Sequence, residues 1–262
     1  MDIEEAYSQK DQLDEHAILD ESWIKKIFLI LDKQMDTIFD KNKLIIMNFV
    51  SSILQKHGNY FNTTIWNNIL YVISKAGLSK NVNCVNQGFK NLKLIVGDYV
   101  TRMSDGNFVN LKKCGDEDIR TIITLIETIY EFADNPTNNI NNRLTTSGMF
   151  WSISEQISKS YKIKLSHTFS DDSDMTPKNG KDEEESKDEL KILKNAGHEM
   201  LWKRIFQKLY CLASSTQIEV KKHNLKNLEN IFMKHGASIS SNTWLEVLNN
   251  NILDLLKSHV RN

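Results

Sequence analysis

Apolar residues recur at helical spacing along most of this chain. Between residues 24 and 39 they fall three or four positions apart, which predicts a first helix over about 16–39. Residues 42–57 are apolar nearly all round, as is typical of a helix packed on two sides. The same pattern predicts further helices near 62–76, 82–102, 117–133, 141–160, 190–213, 217–235 and 242–258. The expected protein is all-α, with about nine or ten helices in antiparallel pairs and no β-sheet.

One sequence unit is written twice in the chain. Lys56-His57-Gly58 is followed, after seven residues, by Trp66, and Lys234-His235-Gly236 is followed, after the same seven, by Trp244. The two copies are 178 positions apart. Apolar positions on either side match at the same offset, so the similarity extends beyond the tripeptide.

A third copy is weaker. Lys90-Asn91-Leu92 aligns with Lys226-Asn227-Leu228, and Phe108 aligns with Trp244, which places the first and third copies 42 residues apart. Trp202 and Trp244 are also 42 residues apart. Similarity at about 40 to 47 residues is typical of stacked helix pairs, so we predict a HEAT- or armadillo-like α-solenoid of antiparallel helix pairs. Solenoids usually bind other proteins and seldom catalyse reactions.

The Lys-His-Gly tripeptide is typical of a helix end. Gly58 and Gly236 are expected to close their helices in the left-handed conformation, which costs glycine least. His57 and His235 then lie in the last turn, where positive or polarisable side chains favour the negative end of the helix dipole. An alternative interpretation makes the two histidines metal ligands, but the helix end already accounts for both.

The second half of the unit predicts a helix start. Thr63-Thr64 and Asn242-Thr243 are suited to capping, and Trp66 and Trp244 then open the following helix. We expect both tryptophans to anchor neighbouring repeats. The full set of predicted structural anchors is His57, Gly58, Trp66, Trp151, Trp202, His235, Gly236 and Trp244.

Composition divides the chain into four parts. Residues 166–190 are rich in acidic and serine residues and have almost nothing to bury, so they are predicted to be a disordered acidic insertion. Residues 1–15 are expected to be a flexible N-terminal segment. Helical repeats are predicted over 16–165 and, continuing the same solenoid, over 191–262.

Charge and cysteine content narrow the choice of partner and compartment. The net charge is -1, and without a basic stripe there is no reason to expect nucleic-acid binding. The three cysteines are widely spaced, which indicates a reducing compartment. The acidic N-terminus does not resemble a signal peptide. The apolar runs are too short and too interrupted to cross a bilayer, so any membrane association is expected to be peripheral.

Motifs for catalysis are incomplete wherever they begin. Gly197-His198-Glu199 resembles the start of a zinc-protease helix, but the position of the second histidine is Trp202. Ser147-Gly148 is not part of a nucleophile elbow. Phosphate-binding glycine loops and cysteine pairs at metal spacing are missing from the sequence. We therefore predict no catalytic residue, cofactor or metal, and a stand-alone enzyme is the weaker alternative.

Two sets of residues resemble known proteins. One set resembles a helical repeat that large Arf guanine-nucleotide exchange factors and their relatives share downstream of the catalytic domain. It consists of Leu201–Phe206, Glu219–Lys222, Phe232–Gly236 and Thr243-Trp244. Leu144–Ser154 is similar to the Leu-Thr-x-x-Gly-Leu-Leu-Trp-x-Ile-Ser segment of one relative, the Mon Two (monensin-sensitivity) family. The tryptophan of that segment separates this family from the true exchange factors.

The resemblance covers about residues 85–258 and is strongest over 141–258, although Lys221 stands where an arginine is usual. It implies an internal fragment of a non-catalytic scaffold, cytoplasmic and peripheral to Golgi and endosomal membranes. By the same resemblance its partners are a Dopey-family protein and Arf or Arf-like GTPases. The alternative is the downstream helical regulatory region of a true large Arf exchange factor. The binding face and any homo-oligomer stay open.

Overall fold

In the computed structural model, the described residues are 21–36, 40–101, 108–109, 115–170 and 181–253. Nine α-helices and no strand occur among them, which confirms the all-helical prediction. The helices are α1 Glu21–Met35, α2 Asp40–His57, α3 Thr63–Gly77, α4 Val82–Leu94, α5 Asp116–Asp134, α6 Ile140–Ser170, α7 Lys181–Ala213, α8 Ile218–His235 and α9 Ser241–Val247. Short π-helical turns follow α4 and α9, at Ile95–Tyr99 and Leu248–Ile252.

The helices pack in two layers. In layer one, α1, α3, α5, α7 and α9 lie side by side in that order, and in layer two α2, α4, α6 and α8 do the same. Successive helices in the chain alternate between the layers. This arrangement is compatible with an α-solenoid.

Neighbouring helices within a layer are parallel and in fixed register. In layer two, Asn91 Nδ2 donates to Met47 O at 2.8 Å and Tyr99 Oη donates to Leu54 O at 2.6 Å, across 44 and 45 positions. Because the number of residues between bonded partners stays nearly constant along α2 and α4, the two helices run in the same direction. The value is close to the 42-residue offset in the sequence.

Helices α3 and α5 are joined by a row of polar side chains in layer one. Three threonines of α5 and its C-cap residue donate to partners on α3 across 57 or 58 positions: Thr121 to Thr63 O, Thr124 to Asn67 Oδ1, Thr128 to Leu70 O and Asn135 to Gly77 O. The three threonines lie on one face of α5 because they follow helical spacing. This row of hydrogen bonds sets the register of the two helices.

Local sequence explains why α5 forms where it does. The backbone N–H of Gly115 donates to Asp118 Oδ2 at 3.2 Å, and three acidic residues occupy the first turn, where the helix dipole is positive. Behind them Ile119, Ile122, Ile126 and Ile129 form a buried stripe at helical spacing. The same two signals, a polar start and an apolar stripe, produce most of the other helices.

The predicted acidic insertion differs from the structure in part. Helix α6 continues to Ser170 and α7 begins at Lys181, so both ends of the predicted acidic insertion are helical, and its middle, 171–180, lies outside the described residues. The predicted flexible segment 1–15 also lies outside them. Phe108 and Val109, in the connection between α4 and α5, are not helical.

Candidate functional site

The repeated tripeptide forms the same turn in both places. Helices α2 and α8 each end at the histidine, and a single 3-10 turn follows, Gly58–Tyr60 in one copy and Gly236–Ser238 in the other. In the first turn Gly58 O accepts from the Phe61 N–H at 3.4 Å, and in the second Gly236 O accepts from the Ile239 N–H at 3.2 Å. The two copies are therefore equivalent in backbone structure as well as in sequence.

The helix caps come earlier than the sequence indicated. Asn62 Oδ1 accepts from the Ile65 N–H at 3.0 Å, and Ser240 Oγ accepts from the Thr243 N–H at 3.2 Å. Thr63-Thr64 and Asn242-Thr243 lie inside the first turns, so their prediction as caps was wrong. Each cap needs an extended backbone, and the two residues that follow each 3-10 turn, Phe61-Asn62 and Ile239-Ser240, have that conformation.

The predicted left-handed glycines were also wrong. Gly236 is right-handed, with φ -54° and ψ -35°, and Gly58 has no positive φ. Glycine is found at both positions because a larger side chain would be too close to a neighbouring aromatic residue. A Cβ on Gly58 would lie 2.2 Å from Tyr99 Oη, and one on Gly236 would lie 3.0 Å from Trp244 Cζ2.

Trp66 lies in a closed aromatic cluster. Its side chain is fully buried, and its ring lies 5.2 Å from Phe61, 4.9 Å from Tyr99 and 4.8 Å from Phe108. Phe108, the residue aligned with the tryptophans, does not open a helix. It packs on Trp66 from the connection that follows α4.

Trp244 holds its own hairpin together. The ring is only partly buried, stacks on Phe232 at 4.8 Å, and donates its indole N–H to Gly236 O at 3.0 Å. Both partners belong to α8 and to the turn that follows it. Equivalent tryptophans therefore have different neighbours in the two copies.

The two histidines differ in the same way. His235 is buried, with Trp151 at 5.2 Å and Trp202 at 6.2 Å between ring centroids, whereas His57 is exposed. His198, from the incomplete zinc motif, is buried 3.0 Å from Ser160 Oγ. In the described part of the chain, no group of three His, Cys, Asp or Glu side chains could hold a metal ion.

Equivalent positions contact the preceding helix of layer two. Asn91 of α4 donates to Met47 O of α2, and Asn227 of α8, 136 positions on, donates to Ser147 O of α6 at 3.4 Å. Tyr99 and His235 form a second such pair at the same offset. Tyr99 bonds to the end of α2, and His235 packs on Trp151 of α6. These two positions are the contacts that repeat along layer two.

Ion pairs join three neighbouring pairs of helices in layer one. Lys75 of α3 pairs with Asp32 of α1 and with Asp36, the residue after α1. Glu127 of α5 pairs with Arg204 and Lys208 of α7, and Lys203 of α7 lies 2.5 Å from Glu246 of α9. Single pairs at a surface contribute little to stability. Their positions do favour one register over others.

Two titratable groups of α5 lie in the packing between helices. Burial, aided by the nearby Glu127, raises the pKa of Glu131 to about 7, although a hydrogen bond to Ser74 and the charge of Lys208 oppose the rise. Burial likewise raises the pKa of Tyr130 to about 12, with Asp134 adding to it. The Lys208 ammonium lies 4.4 Å from the centre of the Tyr130 ring. Both groups are engaged by neighbouring helices.

An open groove of about 610 Å³ lies between α5, α7 and α9. Its lining combines apolar and charged side chains: Ile123, Met200, Lys203, Arg204, Gln207, Tyr210, Cys211, Glu246, Val247 and Asn250. The Lys203–Glu246 ion pair lies in this lining. The mixture is suited to contact with another polypeptide more than to enclosing a small molecule.

Sequence reasoning missed Arg143, which is buried in α6. Its Nε donates to Ala133 O at 2.8 Å, one terminal nitrogen donates to Asp134 O at 3.3 Å, and the other donates to Gln217 Oε1. The two carbonyls end α5, where acceptors are left over and the dipole is negative. Burial lowers the pKa of Arg143. No sequence pattern distinguishes this arginine from one on a surface.

No protein family model, curated protein or solved structure matches this chain. Within the described parts of the chain, none of the helices has both the length and the apolar character needed to span a bilayer.

Proposed function

We propose that this chain is a non-catalytic α-solenoid segment that presents helical surfaces to partner proteins. The observation that carries the proposal is the repeated contact in layer two. Asn91 and Asn227 make the same hydrogen bond to the preceding helix, and the parallel register is kept along the layer. A structure in which each helix pair contacts mainly its neighbours is the defining property of a solenoid.

The side chains with shifted pKa values favour a binding function over a catalytic one. Arg143, Glu131 and Tyr130 have shifted pKa values, and shifted groups in a cleft would suggest an active site. In this protein the three groups are bonded into contacts between helices. Their shifts therefore follow from structural packing.

The trafficking role rests on the resemblance to the Mon Two family. Two of the resembling segments contact each other: the ring of Trp151 in Leu144–Ser154 packs on His235 of Phe232–Gly236, and Lys234 lies 4.7 Å above it. On this basis we propose a scaffold segment in Golgi and endosomal membrane traffic. Its partners are a Dopey-family protein and Arf or Arf-like GTPases, and its place is cytoplasmic and peripheral to those membranes.

Biolayer interferometry with the purified chain tests this proposal. A Dopey-family protein and an Arf-like GTPase are each offered to the immobilised chain, with a Ras-type GTPase as the control. We expect saturable binding of at least one of the first two and none of the control. Absence of binding to both, with the chain folded, would reject the trafficking role.

A further inference from the structure

Helix α2 is the first described helix of layer two and has an exposed face. Ile45 is 65% exposed and Phe49 is 42% exposed. Lys56 and His57, two turns further on, are exposed as well. We call these four residues the α2 face. Exposed apolar side chains at helical spacing indicate a surface that another element covers.

The repeat shows what equivalent faces do elsewhere in the protein. Phe49 occupies the position of Asn91 and Asn227, and both asparagines donate to the preceding helix of layer two. His57 occupies the position of Tyr99 and His235, which also contact that helix. In α2 the same two positions are exposed.

The contact between α8 and α6 extends the comparison to all four residues of the face. His223, equivalent to Ile45, hydrogen-bonds to the backbone of Leu144, and Lys234, equivalent to Lys56, lies over Trp151. Every residue of the α2 face thus has a counterpart in α8 that contacts α6. On α6 the contacted positions are 144, 147 and 151, one stripe at helical spacing.

We propose that the α2 face binds an amphipathic helix of a partner protein, parallel to α2. This helix has apolar residues against Ile45 and Phe49 and an aromatic residue over Lys56 and His57. The inference rests on the proposed scaffold function and names where one partner binds. In α2 the polar counterparts His223 and Asn227 are replaced by Ile45 and Phe49, which suits an apolar stripe better than backbone hydrogen bonds.

Charge distinguishes this occupant from a second copy of the chain. Helix α2 carries Lys41, Lys43 and Lys56 against the single acid Asp40. Two α2 faces in contact would bring these like charges together, which is unfavourable where water is excluded. A partner helix with acidic residues beside its apolar stripe would instead neutralise them.

The test uses a labelled synthetic peptide of residues 140–160, the part of α6 that covers the equivalent face of α8, with Arg143→Glu and Lys159→Glu to supply the acidic residues beside the apolar stripe. Fluorescence anisotropy with the full chain should show saturable binding. Phe49→Asp or Ile45→Asp should weaken it about tenfold or more, because apolar anchors dominate such contacts. Met233→Asp is the control: Met233 is 84% exposed on α8, and its substitution should leave binding unchanged. A peptide with Trp151→Ala should also bind weakly.

Photo-crosslinking identifies the occupant directly. Phe49 is replaced by p-benzoylphenylalanine, and the product is measured by intact mass after irradiation with the peptide. An adduct of chain plus peptide supports the proposal. A dimer of the chain, or a link within one chain, would overturn it, as would peptide binding that Phe49→Asp leaves intact. Failure here with retained binding of a Dopey-family protein or GTPase would reject only this docking site.

Discussion

Polar side chains from neighbouring elements complete the helix ends in this protein. Tyr99 donates to Leu54 O in the last turn of α2, and Asn135 donates to Gly77 O at the end of α3, at 2.6 Å in both cases. Arg143 does the same for the end of α5. The last four carbonyls of a helix lack partners within it. Each of these side chains thus satisfies an acceptor and fixes the position of its own helix.

Arg143→Met should destabilise the fold by about 2 to 4 kcal/mol, because it leaves two helix-end carbonyls and Gln217 without their partner. Arg120→Met is the matched control, since Arg120 is exposed on α5, and should change stability by less than about 0.5 kcal/mol. Urea unfolding followed by circular dichroism measures both. Equal midpoints for the two variants would contradict the role assigned to Arg143.

Gly58→Ala should cost about 1 to 3 kcal/mol, because the added Cβ meets the Tyr99 hydroxyl that bonds to Leu54 O. Gly148→Ala is the control. It lies within α6 with no atom within 4 Å of the added Cβ, so it should stabilise by about 0.5 to 1 kcal/mol. Thermal melts of the two variants should move in opposite directions. A stabilising Gly58→Ala would show that close packing does not require glycine at this position.

Glu131 should make stability depend on pH. Its pKa rises from 4.5 to about 7 on folding, so between these values the folded state binds a proton that the unfolded state has lost, and stability falls as pH rises. Glu131→Gln should therefore raise the free energy of unfolding at pH 8 by about 1 to 2 kcal/mol, after allowance for solvent screening, and should change it little at pH 4. Urea titrations at the two pH values measure this. Glu229→Gln, at an exposed position of α8, should show no such difference, and a pH-independent Glu131→Gln effect would contradict the assignment.

At the scale of elements, hydropathy predicts where helices form but not how their ends are completed. The stripe in α5 predicts its bounds to within one residue at each end, because its apolar positions face the core without interruption. The caps Asn62 and Ser240 were missed, since the extended backbone they need follows a 3-10 turn that the hydropathy pattern does not predict. The helical ends of the acidic segment were missed because they carry few apolar residues.

The environments of the repeated residues could be predicted only in part, because local sequence does not determine which helix packs against them. His57 and His235 have the same local sequence, yet one is exposed and the other is buried beside Trp151. The environment comes from the preceding helix of layer two, which the tripeptide does not encode. A repeat in sequence predicts equivalent backbone but not equivalent neighbours.

The two tryptophans should differ in their contribution to stability. Trp66→Ala should cost about 3 to 5 kcal/mol, since it empties a fully buried site among three aromatic rings. Trp244→Ala should cost about 1 to 3 kcal/mol, because its ring is only partly buried. Thermal unfolding gives both values. An unchanged melting temperature for Trp244→Ala would contradict the repeat assignment.

At the scale of the whole molecule, the layers keep their register while the connections change length. Bonded residues are 44 or 45 positions apart between α2 and α4, 55 or 56 between α4 and α6, and 80 between α6 and α8. The added residues lie in the connection before α5 and around the acidic segment. Long connections cost little extra closure entropy. The packing of layer two is therefore independent of these insertions, as expected of a repeat protein.

The central claim is that this chain binds its partner proteins without acting on them catalytically. It is tested most directly by titrating the purified chain into an Arf-type GTPase loaded with a fluorescent guanine nucleotide. The account predicts that anisotropy rises to saturation while the rate of nucleotide release stays at its basal value. Accelerated release would contradict it, as would unchanged anisotropy at every concentration together with no binding of a Dopey-family protein.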